Sequence, residues 1–292
     1  MIDALESTGR GWVAESDGEV PDRCGVRNVN TFAKTAVAFL STLCAAAALA
    51  DAGTPPLHHL VHIEGAGLRT VVLESGFGDT LDIWQNIQSR IAAHCARTFS
   101  YNRAGYLDSD PALAERDAAT IVGELRDELE RQHLSPPYVL VGHSLGGLYM
   151  QYFARNFPAD VAGLVLIDST HWQQGLKIDA TANTPYQART AVTLYMPLVM
   201  RHELTDSTDA GREVNDSPSA AAIPTIVLSS TRLVSGETAE QRAQAVALQN
   251  DIAADFPGAR HLFVEDSGHY IQRDQPGVVV DAIRDLAGCT HR

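Results

Sequence analysis

One serine stands between two glycines where an apolar, strand-like run changes into a helix-like run. The strand-like run ends at Val141, and the segment that follows reads GHSLG at positions 142–146. A serine at such a tight turn takes a strained backbone angle, and flanking glycines let the neighbouring chain pass without a side-chain clash. The pattern predicts a nucleophile elbow that projects the Ser144 hydroxyl outward at a helix N-terminus.

Serine is a weak nucleophile near neutral pH, so Ser144 needs a base in reach and a third group that orients this base. His269 follows the last predicted strand, with a glycine before it and a helix soon after, and we predict it to be the base. Asp168 ends the strand after the elbow, at the same sheet edge as Ser144, and is the predicted acid. Glu237 is the alternative acid, and Asp266 is less suited because it precedes the base so closely.

Acyl transfer also needs N–H donors for the oxyanion of the tetrahedral intermediate, each contributing about 3 kcal/mol in the transition state. The backbone N–H of Leu145, directly after the nucleophile, is the first predicted donor. The segment ESGFGD at 74–79 has two glycines that let the backbone turn its amides inward, and we assign the second donor to the N–H of Phe77. A phosphate loop is disfavoured here because no Gly-Lys-Ser/Thr sequence follows.

The elements that must position these groups alternate between strand and helix patterns. Strand-like runs occur at 58–64, 68–74, 96–101, 138–141, 162–168, 224–228 and 261–264. The first two are separated by Gly-Ala-Gly and predict a hairpin. The alternation predicts an α/β fold with a mostly parallel sheet and helices on both faces. Residues 171–222 break the rhythm, so we predict a cap or lid insertion between core segments 51–170 and 223–292.

The sequence resembles the α/β-hydrolase superfamily over about residues 58 to 288. The resemblance rests on the elbow, on the order Ser, Asp, His, on NRAGY at 102–106 and on SGH at 267–269. It implies an eight-stranded sheet, a helical cap after the sixth strand, and a cofactor-free Ser-His-Asp mechanism. Two features depart from the family pattern: SGFG at 75–78 replaces His-Gly-x-Pro, and Asp168 follows strand six rather than strand seven.

The reaction we expect is hydrolysis of a small or medium apolar carboxylic ester through an acyl-enzyme. Serine at the elbow sets aside dehalogenases and epoxide hydrolases, which use aspartate there in the superfamily. An amidase or peptidase, a lactonase, a carbon–carbon bond hydrolase and a slow-turnover ligand-binding or signalling protein remain alternatives. Candidate groups for these roles are Glu203, Asp206 and Asp209 for capturing a substrate amine, His171 for lining the pocket, and the apolar run 191–200 for walling it or packing within the cap.

Composition and the N-terminal region limit the setting in which this chemistry would occur. The 292 residues carry a formal net charge of −14, which argues against nucleic acid or an anionic membrane as a partner. Residues 35–50 read TAVAFLSTLCAAAALA, which predicts a secretory signal peptide cut before Asp51. Residues 1–50 would then be an extension and signal, leaving an exported protein without a stable membrane anchor. A buried core helix is the alternative interpretation of this run.

Two cysteines, Cys95 and Cys289, follow residue 50. In the superfamily's layout the helix before Cys95 and the final helix pack on the same face, which implies a disulfide at the sheet edge opposite the active site. Closing so long a loop would stabilise the fold by about 4 kcal/mol. His58, His59 and His62 form an HHxxH cluster, but only the first and third share a strand face and no carboxylate is fixed beside them, so we expect neither metal nor cofactor.

Overall fold

The computed structural model describes residues 57–93, 95–174, 195–233 and 237–289. The predicted signal peptide, and residues 175–194 of the predicted insertion, lie outside the described residues. The strands are β1 (Val61–Glu64), β2 (Thr70–Glu74), β3 (Arg97–Tyr101), β4 (Tyr138–His143), β5 (Val161–Ile167), β6 (Thr225–Ser230) and β7 (Arg260–Val264). The helices are α1 (Gln85–Ala92), α2 (Ala118–Arg131), α3 (Leu145–Asn156), α4 (Leu198–Asp216), α5 (Ala239–Asp255), α6 (Ile271–Asp274) and α7 (Pro276–Ala287), with 3-10 helices at Leu81–Trp84 and Pro158–Asp160.

The sheet has the strand order β1-β3-β2-β4-β5-β6-β7. Within the part of the chain that the structure describes, only β1 is antiparallel to its neighbour, and the other five pairings are parallel. Strands β2, β4 and β6 are buried along their whole length and rich in Val, Ile and Leu, as strands covered on both faces require. Strands β1 and β7 lie at the two edges and are partly exposed. The α/β fold class predicted from the alternation is therefore confirmed.

The connectivity at the start of the sheet corrects two details of the prediction. The hairpin between the first two strands is wrong, because β1 pairs with β3, with Val61 opposite Tyr101. Strand β2 is buried on both faces and lies between β3 and β4, so it has no free edge for β1. Among the described residues the sheet also has seven strands rather than eight, since a single antiparallel strand precedes the parallel set. The insertion thus follows the fifth strand and not the sixth.

The side chains of the central strands alternate between two apolar layers. Val72 and Leu140 pack on one face with α2, α3 and α5, and Val71 and Val139 pack on the other with α1 and α7. This period-two alternation is what a strand between two helical layers requires. Both layers leave the carboxyl ends of the parallel strands at one edge, where the candidate site lies.

Helix α4 is the described helix of the predicted insertion, and it packs against α2 and α3. Its 19 residues bury Val199, Ala210 and Val214, together with the charged Glu203. In the described part of the chain, the length and apolar character needed to cross a membrane do not occur together in any helix. The predicted disulfide is confirmed, with the Cα atoms of Cys95 and Cys289 5.5 Å apart.

Candidate active site

Ser144 lies between β4 and α3 with φ 53° and ψ −120°, a backbone conformation that is strained for a residue with a side chain. The tight packing around it requires the elbow glycines. A Cβ at Gly146 would lie 2.5 Å from the carbonyl oxygen of Glu74, and one at Gly142 would lie 2.6 Å from the neighbouring helix backbone. Hydrogen bonds hold the strained residue, including the one from its N–H to the carbonyl of Ile167 at 3.1 Å.

The structure brings Asp168 and His269 together beside the elbow. The distance from Nδ1 of His269 to Oδ2 of Asp168 is 2.7 Å. Asp168 also accepts hydrogen bonds from the backbone N–H and the hydroxyl of Ser230, both at 3.0 Å. Burial alone would raise the pKa of Asp168, but the hydrogen bonds from His269 and Ser230 outweigh it and lower that pKa. The carboxylate therefore stays ionised while it faces the imidazole.

Glu237, the alternative acid, is held elsewhere. Its carboxylate pairs with Arg242 at 2.7 Å, and Arg242 Nη1 donates to the hydroxyl oxygen of Ser230 at 2.8 Å. Since that oxygen accepts from Arg242, its proton is directed towards Asp168. The structure thus places Asp168 at the imidazole. Glu237 instead pairs with Arg242, and Arg242 separates it from Ser230 and Asp168.

His143 is a site residue that the sequence reasoning did not single out, although it is one of the two variable positions of the elbow pattern. Its side chain is fully buried, and Nε2 lies 3.0 Å from the backbone carbonyl of His269, which makes Nε2 the donor. Burial lowers the pKa of His143, which favours the neutral ring. Its other nitrogen lies 3.6 Å from the carboxylate of Asp79, which in turn accepts from the Tyr270 hydroxyl at 3.3 Å. His143 thus ties the backbone of His269 to the elbow.

The two predicted oxyanion donors lie on the elements that flank Ser144. Leu145 is the first residue of α3, so its N–H precedes the first intrahelical hydrogen bond. Phe77 belongs to the loop after β2, which we call the oxyanion loop (residues 75–78). This loop runs so close to the elbow that a Cβ at Gly76 would lie 3.3 Å from the Cβ of Ser144.

A buried cluster of charged and phenolic side chains lies beneath the oxyanion loop. Arg103 donates to Glu74 and to Glu203, at 2.7 Å in each case. The hydroxyl of Tyr101 donates to Glu74 at 2.7 Å, and that of Tyr106 donates to Glu203 at 2.6 Å. Burial raises the pKa of Glu74, against the opposing effect of Arg103. The resemblance pointed to the segment with Arg103, but not to its partners.

The candidates for capturing a substrate amine have other partners in the structure. Glu203 is fully buried and bound to Arg103. Asp206 accepts the backbone N–H of Arg116 at 2.8 Å. Asp209 forms an exposed ion pair one helical turn along its own helix. Glu203 in particular is not free to meet a substrate.

Two other histidines singled out from the sequence, His171 and His59, are buried and bound to neighbouring groups of the fold. His171 is buried, and burial lowers its pKa; its Nδ1 accepts the backbone N–H of Gln173 at 3.2 Å. His59 of the HHxxH cluster is buried against Glu128, with 3.0 Å between Nδ1 and the carboxylate. No three His, Cys, Asp or Glu side chains come together as metal ligands within the described ranges.

Comparison with known proteins gives a consistent picture of the fold. The model of the alpha/beta hydrolase family matches residues 71–282. The protein YqjL of Bacillus subtilis (strain 168) is 29% identical over 233 residues, which cover 78% of this chain and 87% of that protein. An esterase from Exiguobacterium antarcticum superposes with a TM-score of 0.59 at 15% identity, covering 80% of this chain and 96% of that one. A thermophilic esterase from Thermogutta terrifontis gives 0.55 at 18% identity, covering 80% and 94%.

Proposed function

The chain belongs to the alpha/beta hydrolase family and is a hydrolase, and we propose that it cleaves carboxylic esters with Ser144 as the nucleophile. The observation that carries the proposal is the 2.7 Å contact between His269 Nδ1 and Asp168 Oδ2, next to a serine in a strained elbow. An ionised acid, an oriented imidazole and a hydroxyl at a sharp turn are the parts that an acyl-enzyme mechanism needs.

In the proposed reaction, the Ser144 oxygen attacks the ester carbonyl carbon while its proton passes to Nε2 of His269. Asp168 holds Nδ1–H and stabilises the imidazolium that forms. The carbonyl oxygen, now negative, accepts hydrogen bonds from the N–H groups of Leu145 and Phe77. The tetrahedral intermediate then expels the alcohol, which takes the proton from His269. Water repeats the sequence on the acyl-enzyme and releases the acid.

Two observations support an ester over an amide substrate. Two of the superposed proteins are named as esterases. Glu203, which was a candidate for holding a substrate amine, is instead committed to Arg103. The proposed partner is therefore a small-molecule ester, and neither a metal nor a cofactor enters the reaction we propose.

We also propose that the protein is exported. The apolar run at 35–50 with its Ala-Leu-Ala end supports this proposal. The disulfide between Cys95 and Cys289 supports it too, because such bonds persist in oxidising compartments. Cell fractionation followed by N-terminal sequencing of the product tests it. A mature N-terminus at Asp51 is expected, and an uncleaved chain retained with cytoplasmic markers would contradict the proposal.

The proposed activity is tested by hydrolysis of p-nitrophenyl esters from acetate to palmitate, with p-nitroanilides of the same acids beside them. The wild-type chain should cleave the esters and leave the anilides almost untouched. Ser144→Ala should lose ester hydrolysis by about 10⁴-fold or more, because the covalent intermediate cannot form. Equal rates for wild type and Ser144→Ala would overturn the proposal, and faster anilide cleavage would move the assignment to an amidase.

A further inference from the structure

Arg103 is the most densely bonded side chain beneath the oxyanion loop. It is only 3% exposed, and the five N–H groups of its guanidinium have five acceptors. Three of these acceptors are carboxylate oxygens, one from Glu74 and two from Glu203. The other two are the backbone carbonyls of Ser75, at 2.7 Å, and Gly76, at 2.9 Å. Two carbonyls of the loop therefore bind one rigid planar cation.

The carbonyl of Gly76 and the N–H of Phe77 belong to the same planar trans peptide unit, so they point in opposite directions. Binding the Gly76 carbonyl to Arg103 therefore turns the Phe77 N–H away from the guanidinium. The next N–H along the loop, that of Gly78, donates to the Tyr106 hydroxyl at 3.2 Å. The peptide planes on both sides of Phe77 are thus fixed from beneath.

The other side of this arrangement comes from the predicted insertion. Glu203 lies on α4, one hundred residues along the chain from Arg103. Its carboxylate accepts hydrogen bonds from Nε of Arg103 at 2.7 Å and from Nη2 of Arg103 at 3.1 Å. The first turns of α4 also press against glycines of the site. A Cβ at Gly105 would lie 2.7 Å from Val199, and one at Gly78 would lie 2.9 Å from the Met200 side chain.

We propose that Arg103 and Glu203 are a positioning pair that orients the Phe77 N–H towards the oxyanion. Because Glu203 lies on α4, this orientation depends on how α4 packs against the rest of the site. The inference rests on the proposed function. Both side chains are buried, so we assign them a positioning role through the oxyanion loop rather than contact with substrate. Burying these ions has a desolvation cost. The cost is offset because the N–H donor is already oriented when the oxyanion forms.

The test compares Arg103→Lys with wild type and with the matched control Arg116→Lys. Lysine keeps the charge, but its single nitrogen cannot reproduce the planar fork that spans two carbonyls and Glu203. Arg116 is also fully buried and forms an ion pair with Glu124, but it does not bind the oxyanion loop. Each variant is assayed for kcat and KM on the best p-nitrophenyl ester. Each is also assayed for inhibition by a trifluoromethyl ketone, whose hemiketal adduct carries an oxyanion, and by the matching methyl ketone.

Arg103→Lys should lower kcat by about 10- to 100-fold with KM changed less than threefold. It should weaken inhibition by the trifluoromethyl ketone by a similar factor and leave inhibition by the methyl ketone unchanged. Arg116→Lys should keep kcat and both inhibition constants within threefold. If Arg103→Lys does not fold, Glu203→Gln provides the same test with an isosteric side chain, and a kcat loss of three- to tenfold is expected.

The possible failures are distinguishable. An active wild type whose Arg103→Lys and Arg116→Lys variants lose the same kcat, or lose only thermal stability, would overturn the positioning role alone. A wild type that cleaves no ester would overturn the proposed function and this inference with it.

Discussion

The two sides of Ser144 are held in different ways. On the acid–base side, formed by Asp168, His269 and Ser230, the imidazole side chain is 39% exposed and is oriented by one carboxylate. On the oxyanion side, Arg103 and Glu203 have side chains that are 2% and 0% exposed and lie in a closed network of ions. The side proposed to move a proton is partly exposed, and the side proposed only to orient backbone N–H groups is buried.

The difference follows from what each side must do. The proposed base has to exchange protons with a leaving alcohol and then with water, so it needs contact with the pocket. The oxyanion donors keep their protons throughout, so rigidity favours them and burial does them no harm. We therefore expect substitutions of Asp168 or His269 to stop proton transfer, and those on the oxyanion side to reduce the rate by misorienting a donor.

The largest expected effect is on the acid–base side. Asp168→Asn should lower kcat by about 10⁴-fold, because an amide no longer selects the imidazole tautomer with the proton on Nδ1. Glu237→Gln is the matched control, since it changes the alternative acid, and it should keep kcat within threefold. Steady-state kinetics on the best p-nitrophenyl ester measures both. A larger loss in Glu237→Gln than in Asp168→Asn would reverse the assignment of the acid.

An intermediate effect is expected on the oxyanion side from Gly76→Ala. The new Cβ would lie 2.9 Å from His143 Nδ1 and 3.0 Å from Asp79 Oδ2, so the loop must shift. We expect a 10- to 100-fold loss in kcat and a destabilisation of about 1–3 kcal/mol. At Gly123, within α2, a Cβ would meet nothing within 4 Å, so Gly123→Ala should leave kcat unchanged. Unaltered kcat in Gly76→Ala would show that the loop does not need its present path.

A smaller effect, on the free energy of unfolding, should follow from Ser230→Ala, which removes the hydroxyl that donates to Asp168. Because the folded pKa of Asp168 is lowered, its contribution to stability is present above the unfolded pKa of about 3.9 and is lost as the pH falls through the folded pKa. Wild type should therefore exceed Ser230→Ala by about 1–2 kcal/mol in unfolding free energy at pH 7. The difference should shrink below about pH 4.

Urea denaturation between pH 3 and pH 7 measures this dependence. Ser267→Ala is the control, because the Ser267 hydroxyl donates to the carbonyl of Gly268 and not to a carboxylate. Its deficit should stay constant with pH. A constant deficit in Ser230→Ala as well would contradict the coupling between Ser230 and the ionisation of Asp168.

The smallest effect on catalysis is expected from removing the disulfide. Cys95 precedes β3 at the end of the sheet away from Ser144, and its bond closes a sequence separation of 194 residues. Replacing both Cys95 and Cys289 by Ala should lower the unfolding free energy by about 2–5 kcal/mol. At a temperature where the variant stays folded, kcat should match wild type. A large loss of kcat at that temperature would show that the geometry of the site depends on the disulfide at the opposite edge of the sheet.

The sequence was most informative where local chemistry decides the structure. The glycines around Ser144 and the position of His269 after the last strand are patterns of adjacent residues, so they could be read directly. Asp168 followed from one rule about parallel strands, whose carboxyl ends share an edge, and the structure places it beside the imidazole. The layers of the sheet were likewise predictable from the alternation of strand and helix patterns.

The remaining features depend on contacts between distant segments. The predicted hairpin failed because a strand pattern does not identify its neighbour, and β3 offered β1 an edge that β2 lacked. Glu203 was a candidate for capturing a substrate amine because its partner, Arg103, lies one hundred residues away along the chain. Ser230 carries no local signal of its role, which arises when β6 pairs with β5 next to Asp168.

The most direct test of the central claim is covalent labelling of the chain with a fluorophosphonate, followed by peptide mass spectrometry. The reagent phosphonylates a serine only where a base activates its hydroxyl and donors hold the phosphoryl oxygen, so it reports both sides of the site at once. We predict one label per chain, located on Ser144, and none on Ser144→Ala. Labelling of another residue, or equal labelling of wild type and Ser144→Ala, would contradict the account.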